Sequence, residues 1–281
     1  MKKIFIALSL MTLAITSFAQ EIVYIHDTVY VNNAVSKEQV VSYTTEAESP
    51  SKNNWGINLQ ASNFHLGLDL QTKYVWRGME MITEGASPVM FPSIYYSWKG
   101  LYVYTMGGYA INGKYAEVDL GVSYSWKGLT IGINDYYYPT INSKDDEYLR
   151  CKHNGHWLEA SMTYAPEKFP LWMTVSNFFA GDDDLYYDAS GNNKRAYSTY
   201  LEVGTYYEFL NNNRLAFAVG ITPFKSCYTD YQKKSAVCNL DLKYTYNVQF
   251  KNGWILPLSA EYIYNPAFDK SYINFVANFA F

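Results

Sequence analysis

The sequence predicts an all-β fold of one kind, a transmembrane antiparallel up-and-down β-barrel of about twelve strands. Three observations predict it: long segments in which apolar and polar residues alternate with a period of two, connections that are short and long in turn, and aromatic residues gathered at segment ends. Composition agrees, with 18% aromatic residues, 29 tyrosines among them, against 17% charged. That balance suits a chain with much interface to cover. Net charge is −4 and the Lys and Arg residues are scattered singly, so no basic field exists to gather phosphates and nucleic acid is excluded as a partner.

The chain opens with "MKKIFIALSLMTLAITSFAQ". A basic tip at Lys2 and Lys3, an apolar run from Ile4 to about Thr16, and small residues at Ser17 and Ala19 are the layout of a cleavable export signal, residues 1–19. The run is shorter than the roughly 20 residues of a spanning helix, and no later run reaches that length. No cysteine follows Ala19 to carry a lipid anchor. Residues 20–54 read as a flexible periplasmic segment: "EIVYIHDTVYVNN" alternates like a short strand-like tip, whereas "SKEQVVSYTTEAESPSKNN" is polar and turn-rich. His26 beside Asp27 is read there as a solvated pair. Residues 55–281 are the barrel.

Alternation in the barrel is strict. "LGLDLQTKYVW" places Leu66, Leu68, Leu70, Tyr74 and Trp76 on one face, and "YAEVDLGVSYSW" sets Ala116, Val118, Leu120, Val122, Tyr124 and Trp126 against Glu117, Asp119, Gly121, Ser123 and Ser125. Strands are expected near 65–77, 88–98, 101–111, 115–126, 129–138, 156–165, 170–180, 196–209, 214–224, 237–250, 254–264 and 270–281. Alternation alone does not separate a soluble sandwich from a barrel. Length does: most of these runs exceed the usual 5–6 residues and match the 9–11 that cross a bilayer on a tilt. The links "WKGL" (twice), "PEKF", "LNNNR" and "KNG" are short, while four others run to between nine and seventeen residues, the asymmetry of periplasmic turns and outer loops; "NGKY" and "NPAFD", in the long set, are shorter than this rule. Trp98, Trp126, Phe209, Phe250 and Trp254 flank the short turns; Tyr137, Trp157, Phe179 and Tyr197 lie near the long loops, as two interfacial girdles require. A closed barrel must pair its last strand with its first, so a chain ending "SYINFVANFAF" stops inside the wall.

Alternating apolar residues leading to Phe279 and Phe281 resemble the assembly signal of outer-membrane barrels, which implies the barrel assembly machinery and outer-membrane lipid as partners. "LQTKYVWRGMEM", "PSIYYSWKGLYV", "AEVDLGVSYSW" and "NDYYYP" resemble the TorF-type porin family, over roughly Leu68 to Pro139. The residues carrying the resemblance are Arg77 and Gly78, Asp119 and Gly121, and Tyr136 to Pro139. It implies an outer-membrane barrel of porin type in a Gram-negative bacterium, and it brings no substrate and no catalytic residue.

Chemistry other than passage finds little support. Cys151, His153 and His156 in "CKHNGH" match no zinc spacing, and no serine sits opposite a histidine as a hydrolase needs. The acidic runs at 144–147 and 182–184 read as solvated loop charges, with weak calcium binding as the competing reading. Cys227 and Cys238 flank one polar loop, either bridged or free. No cofactor or metal is expected. On this register Asp69, Lys73, Arg77, Glu117, Asp119, Glu159, Glu202, Glu208, Asp241, Lys243 and Glu261 face the lumen. They form either a closed network pairing Glu117 or Asp119 with Lys73 and Arg77, or an acid-rich wet path favouring cations. The expected function is a channel for small hydrophilic solutes with mild cation preference. The alternatives are a structural or surface-interaction barrel with a plugged lumen and, further off, a barrel enzyme.

Overall fold

The computed structural model describes residues 22–25, 28–31, 63–139, 148, 155–166, 168–181, 184–188 and 190–281. Twelve strands form the wall: β1 (Phe64–Gln71), β2 (Val89–Trp98), β3 (Leu101–Ala110), β4 (Ala116–Trp126), β5 (Leu129–Tyr137), β6 (His156–Tyr164), β7 (Leu171–Gly181), β8 (Thr199–Phe209), β9 (Asn213–Thr222), β10 (Ala236–Gln249), β11 (Ile255–Asn265) and β12 (Lys270–Ala280). Each pairs antiparallel with its sequence neighbours, and β12 returns to β1, so the sheet is a closed barrel. Closure continues to the last residue, where the Phe281 N–H donates to the Leu66 carbonyl at 2.9 Å and the Leu66 N–H donates back at 3.2 Å.

The two parities point as the alternation requires. Leu66, Val122, Ile131, Val203, Leu242, Ile273 and Phe275 are exposed on the outside, while Asp69, Asn274 and Ser176 on the opposite parity are buried inside. An apolar outer wall and a polar inner one is the transmembrane arrangement, reversed from a soluble sandwich. Of the charges within the described wall strands, only Asp135 lies on the outward parity, and His156 caps it at 2.8 Å.

The short turns follow their residue types. In both "WKGL" links the Lys-Gly pair has positive φ, 47° and 86° at Lys99 and Gly100, 48° and 79° at Lys127 and Gly128. That is the two-residue turn whose twist matches paired strands. Each Lys Nζ lies over the preceding Trp ring, 4.9 Å from Trp98 and 4.8 Å from Trp126. At the seam Trp254 stacks on Phe279 and Phe281, and its Nε1–H donates to the Ala280 carbonyl at 3.1 Å.

Strand bounds match the expected ones to within two residues except in two places. β8 begins at Thr199, not 196, and β1 ends at Gln71 rather than 77. Past Gln71 the Thr72 N–H still reaches the Phe275 carbonyl at 3.0 Å, but the next amide, Lys73 N–H, donates to the Asn274 side chain at 3.0 Å. A lumen side chain thus replaces the wall ladder, and the chain turns inward. Val75–Trp76 and Met79–Glu80 then pair as a small hairpin. Tyr74 and Trp76, expected on the lipid face, are instead 3% and 5% exposed in the interior. With Ile82, Val89, Phe91, Met106, Tyr136, Phe178, Tyr200 and Tyr228 they fill the outer half of the barrel with a packed core. The outer girdle is correspondingly thinner than expected: Phe179 and Tyr197 are exposed, but Trp157 turns in against Phe178 and Tyr137 is covered by Tyr148.

Ahead of the barrel, Ile22–Ile25 pairs with Thr28–Val31, so the strand-like tip is a two-stranded ladder. Residues 1–19, His26, Asp27 and most of 20–54 lie outside the described residues.

If Leu242 faces lipid at mid-strand, Leu242→Arg should lower stability by about 2–4 kcal/mol. Urea unfolding in lipid vesicles measures it, and a loss under about 1 kcal/mol would place this face elsewhere.

Candidate functional site: the lumen and its inserted hairpin

Arg77 and Gly78 form the tip of the inward hairpin, with φ of 48° and 80°. Gly78 is pressed on the wall: a Cβ there would stand 2.0 Å from the Cys238 carbonyl oxygen, and the Gly78 carbonyl accepts from Asn265 Nδ2 at 2.9 Å. This contact aims Arg77 across the bore. Its guanidinium meets Glu159 of β6 through both nitrogens, at 2.5 and 3.1 Å, and donates to the Tyr228 hydroxyl at 2.6 Å and to Ser176 Oγ at 3.1 Å. Its planar face is held by Trp76 at 4.4 Å and Tyr200 at 4.7 Å. Tyr136, one of the resemblance residues, donates to Glu159 Oε2 at 3.1 Å. Pro139 lies just beyond the outer end of β5.

The remaining predicted lumen residues fall into two groups. Glu117 and Asp119 face inward but are fully buried in the outer half, where the Tyr115 hydroxyl donates to Glu117 Oε2 at 2.7 Å and Tyr74 packs edge-on to Tyr115. These charges have two alternatives, a closed network or a wet path, and the contacts of Arg77 and Lys73 lead to other carboxylates. Arg77 is carried across to Glu159, and Lys73, at the outer mouth, pairs with Glu80 of its own hairpin and lies over the Tyr272 ring.

Below the hairpin the bore is polar. Lys243 pairs with Glu261 at 2.7 Å between facing positions of β10 and β11, and Asn274 donates to Glu261 at 3.0 Å. Asp69 is buried with Asn278 as a hydrogen-bond partner. Glu202 accepts from Trp172 Nε1 at 2.8 Å and from Tyr200 at 2.7 Å. Glu208 pairs with Arg214 at the short-turn mouth, and Arg214 stacks on Tyr206. Hydroxyl pairs, Thr163 with Thr174 and Thr245 with Ser259, line the wall at 2.9 Å. Two cavities of about 110 and 100 Å³ open here, and both are bounded by Arg77 and Glu202. Large rings lie flat where glycine faces them: a Cβ on Gly121 would meet the Tyr104 ring at 2.0 Å, and one on Gly204 would meet Trp172 at 2.0 Å.

The other candidate chemistry resolves into structure. His156 holds Asp135 through Nδ1, and its Nε2 lies 2.7 Å from the Tyr148 carbonyl. Cys151, His153 and residues 144–147 lie outside the described residues, among which no three His, Cys, Asp or Glu side chains gather as a metal site. Asp184 accepts from the Ser198 N–H at 2.7 Å and Oγ at 2.6 Å, so this outer-loop carboxylate has a structural use. Burial pushes its carboxyl above the ordinary range and the bonds to Ser198 oppose the rise. Cys227 and Cys238 are free thiols, and burial raises Cys227.

Several residues that hold the hairpin were not singled out from sequence. Ser176, Asn265 and Asn274 are small polar residues on the lumen parity, a signal that was present. Tyr228 sits on a one-turn 3-10 segment, Cys227–Thr229, in an outer loop where no periodicity marks it.

No family model matches the chain, and no curated protein does. Among solved structures, the NanC porin is similar at a TM-score of 0.47 and 11% identity, over 76% of this chain and 98% of that one. The KdgM porin gives 0.42 and 7%, over 77% and 98%, and the outer membrane channel DcaP of Acinetobacter baumannii 0.32 and 13%, over 78% and 72%. At these values the barrel rests on its own strand pairing rather than on the likeness.

Breaking one side of a buried ion pair costs about 3–5 kcal/mol. Arg77→Met and Glu159→Gln should each destabilise the barrel by about that much, and the double variant by clearly less than their sum. Additive losses in a thermal-unfolding cycle would show that the two side chains do not act together.

Proposed function

We propose that the chain is an outer-membrane channel of porin type for small hydrophilic solutes, shut at its outer half by residues 72–82 in the conformation described. The observation that carries this reading is the inner half-lumen. Acids and bases are turned into the bore along β1, β8, β10 and β11, beneath an inserted hairpin and around cavities that meet at Arg77. Charges in a membrane wall need partners or water, and a bore that carries them is suited to a polar path. Export by residues 1–19, a periplasmic role for residues 20–54, recognition of Phe279 and Phe281 by the barrel assembly machinery of a Gram-negative cell, and membership of the TorF-type porins are parts of the same proposal.

A mild cation preference is part of the same proposal, supported by how the acids are matched. Glu80, Glu159, Glu208 and Glu261 are taken by Lys73, Arg77, Arg214 and Lys243, whereas Asp69 and Glu202 take neutral donors. The bore is left acidic. A second reading, a structural barrel with a permanent plug, is favoured by the packed core of the outer half.

Planar-bilayer recording separates the two. Folded wild-type protein should give small, infrequent current steps, and replacing residues 73–82 by a short Gly-Ser linker should give larger, sustained ones. Silence from both folded proteins would remove the channel reading and leave a structural barrel. In the linker variant, Asp69→Asn combined with Asp241→Asn should bring the reversal potential in a KCl gradient closer to zero; an unmoved potential would take selectivity away from these acids.

A further inference from the structure

We infer that the 110 Å³ cavity beneath the hairpin is a binding site for a small organic cation, a primary ammonium on a short alkyl stem. The inference rests on the channel reading to the extent that its ligand is one of the permeating solutes.

Charge is the first argument. Among the residues bounding this cavity, Arg77, Arg214 and Lys243 are each tied to a carboxylate, namely Glu159, Glu208 and Glu261. Glu202 stands outside those pairs, and Asp241 shares the charge of Lys243 with Glu261. Five carboxylates around three cations attract a positive solute.

Unfilled acceptors are the second argument. Asn239 is 6% exposed, and its Oδ1 has no hydrogen-bond partner although its Nδ2 donates to Tyr200 at 3.1 Å. Asp241 Oδ1, two residues along the same face of β10, is likewise buried without one. A buried acceptor left without a donor is costly, so two adjacent ones on a cavity wall mark where a donor belongs. An ammonium brings three N–H donors and the charge together.

The third argument is the shape and polarity of the wall. Ala218 and Ile263 stand at the two positions paired with Asp241, on β9 and β11, and Ala216 and Trp172 also border the space. A bare inorganic ion needs oxygens on all sides. Here carbon faces oxygen, which suits a charged head with an apolar stem. One water needs about 10–15 Å³, so the space takes a solute of several non-hydrogen atoms.

Calorimetry on the folded full chain in detergent tests it, with ethylammonium chloride titrated against potassium chloride at equal concentration. One saturable site is expected for ethylammonium, at least about tenfold tighter than for potassium. Asp241→Asn should weaken it at least about tenfold, since the substitution removes a charge-assisted hydrogen bond. Asn239→Ala should weaken it less. If Asp241→Asn does not show the heat-modifiable gel mobility of a folded barrel, Glu202→Gln takes its place with the same expectation. No saturable heat, equal binding of potassium, or unchanged affinity in the folded variants would each overturn the site and leave the cavity to water. The result stands apart from conductance. Binding without current would remove the channel reading alone, and current without binding would remove only this inference.

Discussion

The structure depends on one constraint, that a sheet in lipid leaves no edge unpaired. β12 meets this constraint by pairing with β1 from Val276 to Ala280, and Phe281 extends it by a reciprocal pair of bonds with Leu66. Closure fixes the strand number as even, brings both ends of the barrel chain to the short-turn rim, and commits one parity of every strand to the interior. Everything polar in the wall then has one place to go. The interior network is therefore a consequence of the ring as much as a feature placed within it.

Within that ring the inserted hairpin is the main departure from a simple meander. Its entry is set by Asn274, which captures the Lys73 amide, and its far end by Asn265 on the Gly78 carbonyl. Between these anchors Arg77 reaches Glu159 on the opposite side of the bore. A guanidinium with a bidentate carboxylate, two hydroxyl partners and two aromatic faces is well compensated for leaving water. The fold joins β1 to β6 and β7 through this side chain, across a distance no wall bond spans. Above it the lumen is a packed core of rings. Below it the lumen is a polar chamber.

Much of this was legible in the sequence, and for identifiable reasons. Period-two alternation is enforced by lipid on one side and water or polar partners on the other, so ten of the strands read off to within two residues of their observed bounds. The inward hairpin was not legible from periodicity, because Tyr74 and Trp76 continue the alternation of Leu66, Leu68 and Leu70 while serving a different surface. What breaks the strand is a tertiary contact, Asn274 to Lys73, separated by 201 residues. The Arg-Gly pair was legible as a motif, and its positive-φ turn explains the glycine. The ion pair of Arg77 with Glu159 is not legible in the sequence, because pairing across a bore depends on the depth each residue reaches. Tyr228 belongs to a loop, where sequence patterns carry no such information.

The flat rings over Gly121 and Gly204 bear on how wide so aromatic a barrel stays. Tyr104 and Trp172 would protrude toward the axis if their facing residue carried even a methyl group, and twelve strands enclose too little area to absorb several such intrusions. By laying each ring along the sheet, the glycines turn bulk into lining, thickening the wall in place of narrowing the bore. The open cross-section is thus governed by the smallest side chains, and tyrosine supplies hydroxyl-bearing plaster at little cost in calibre.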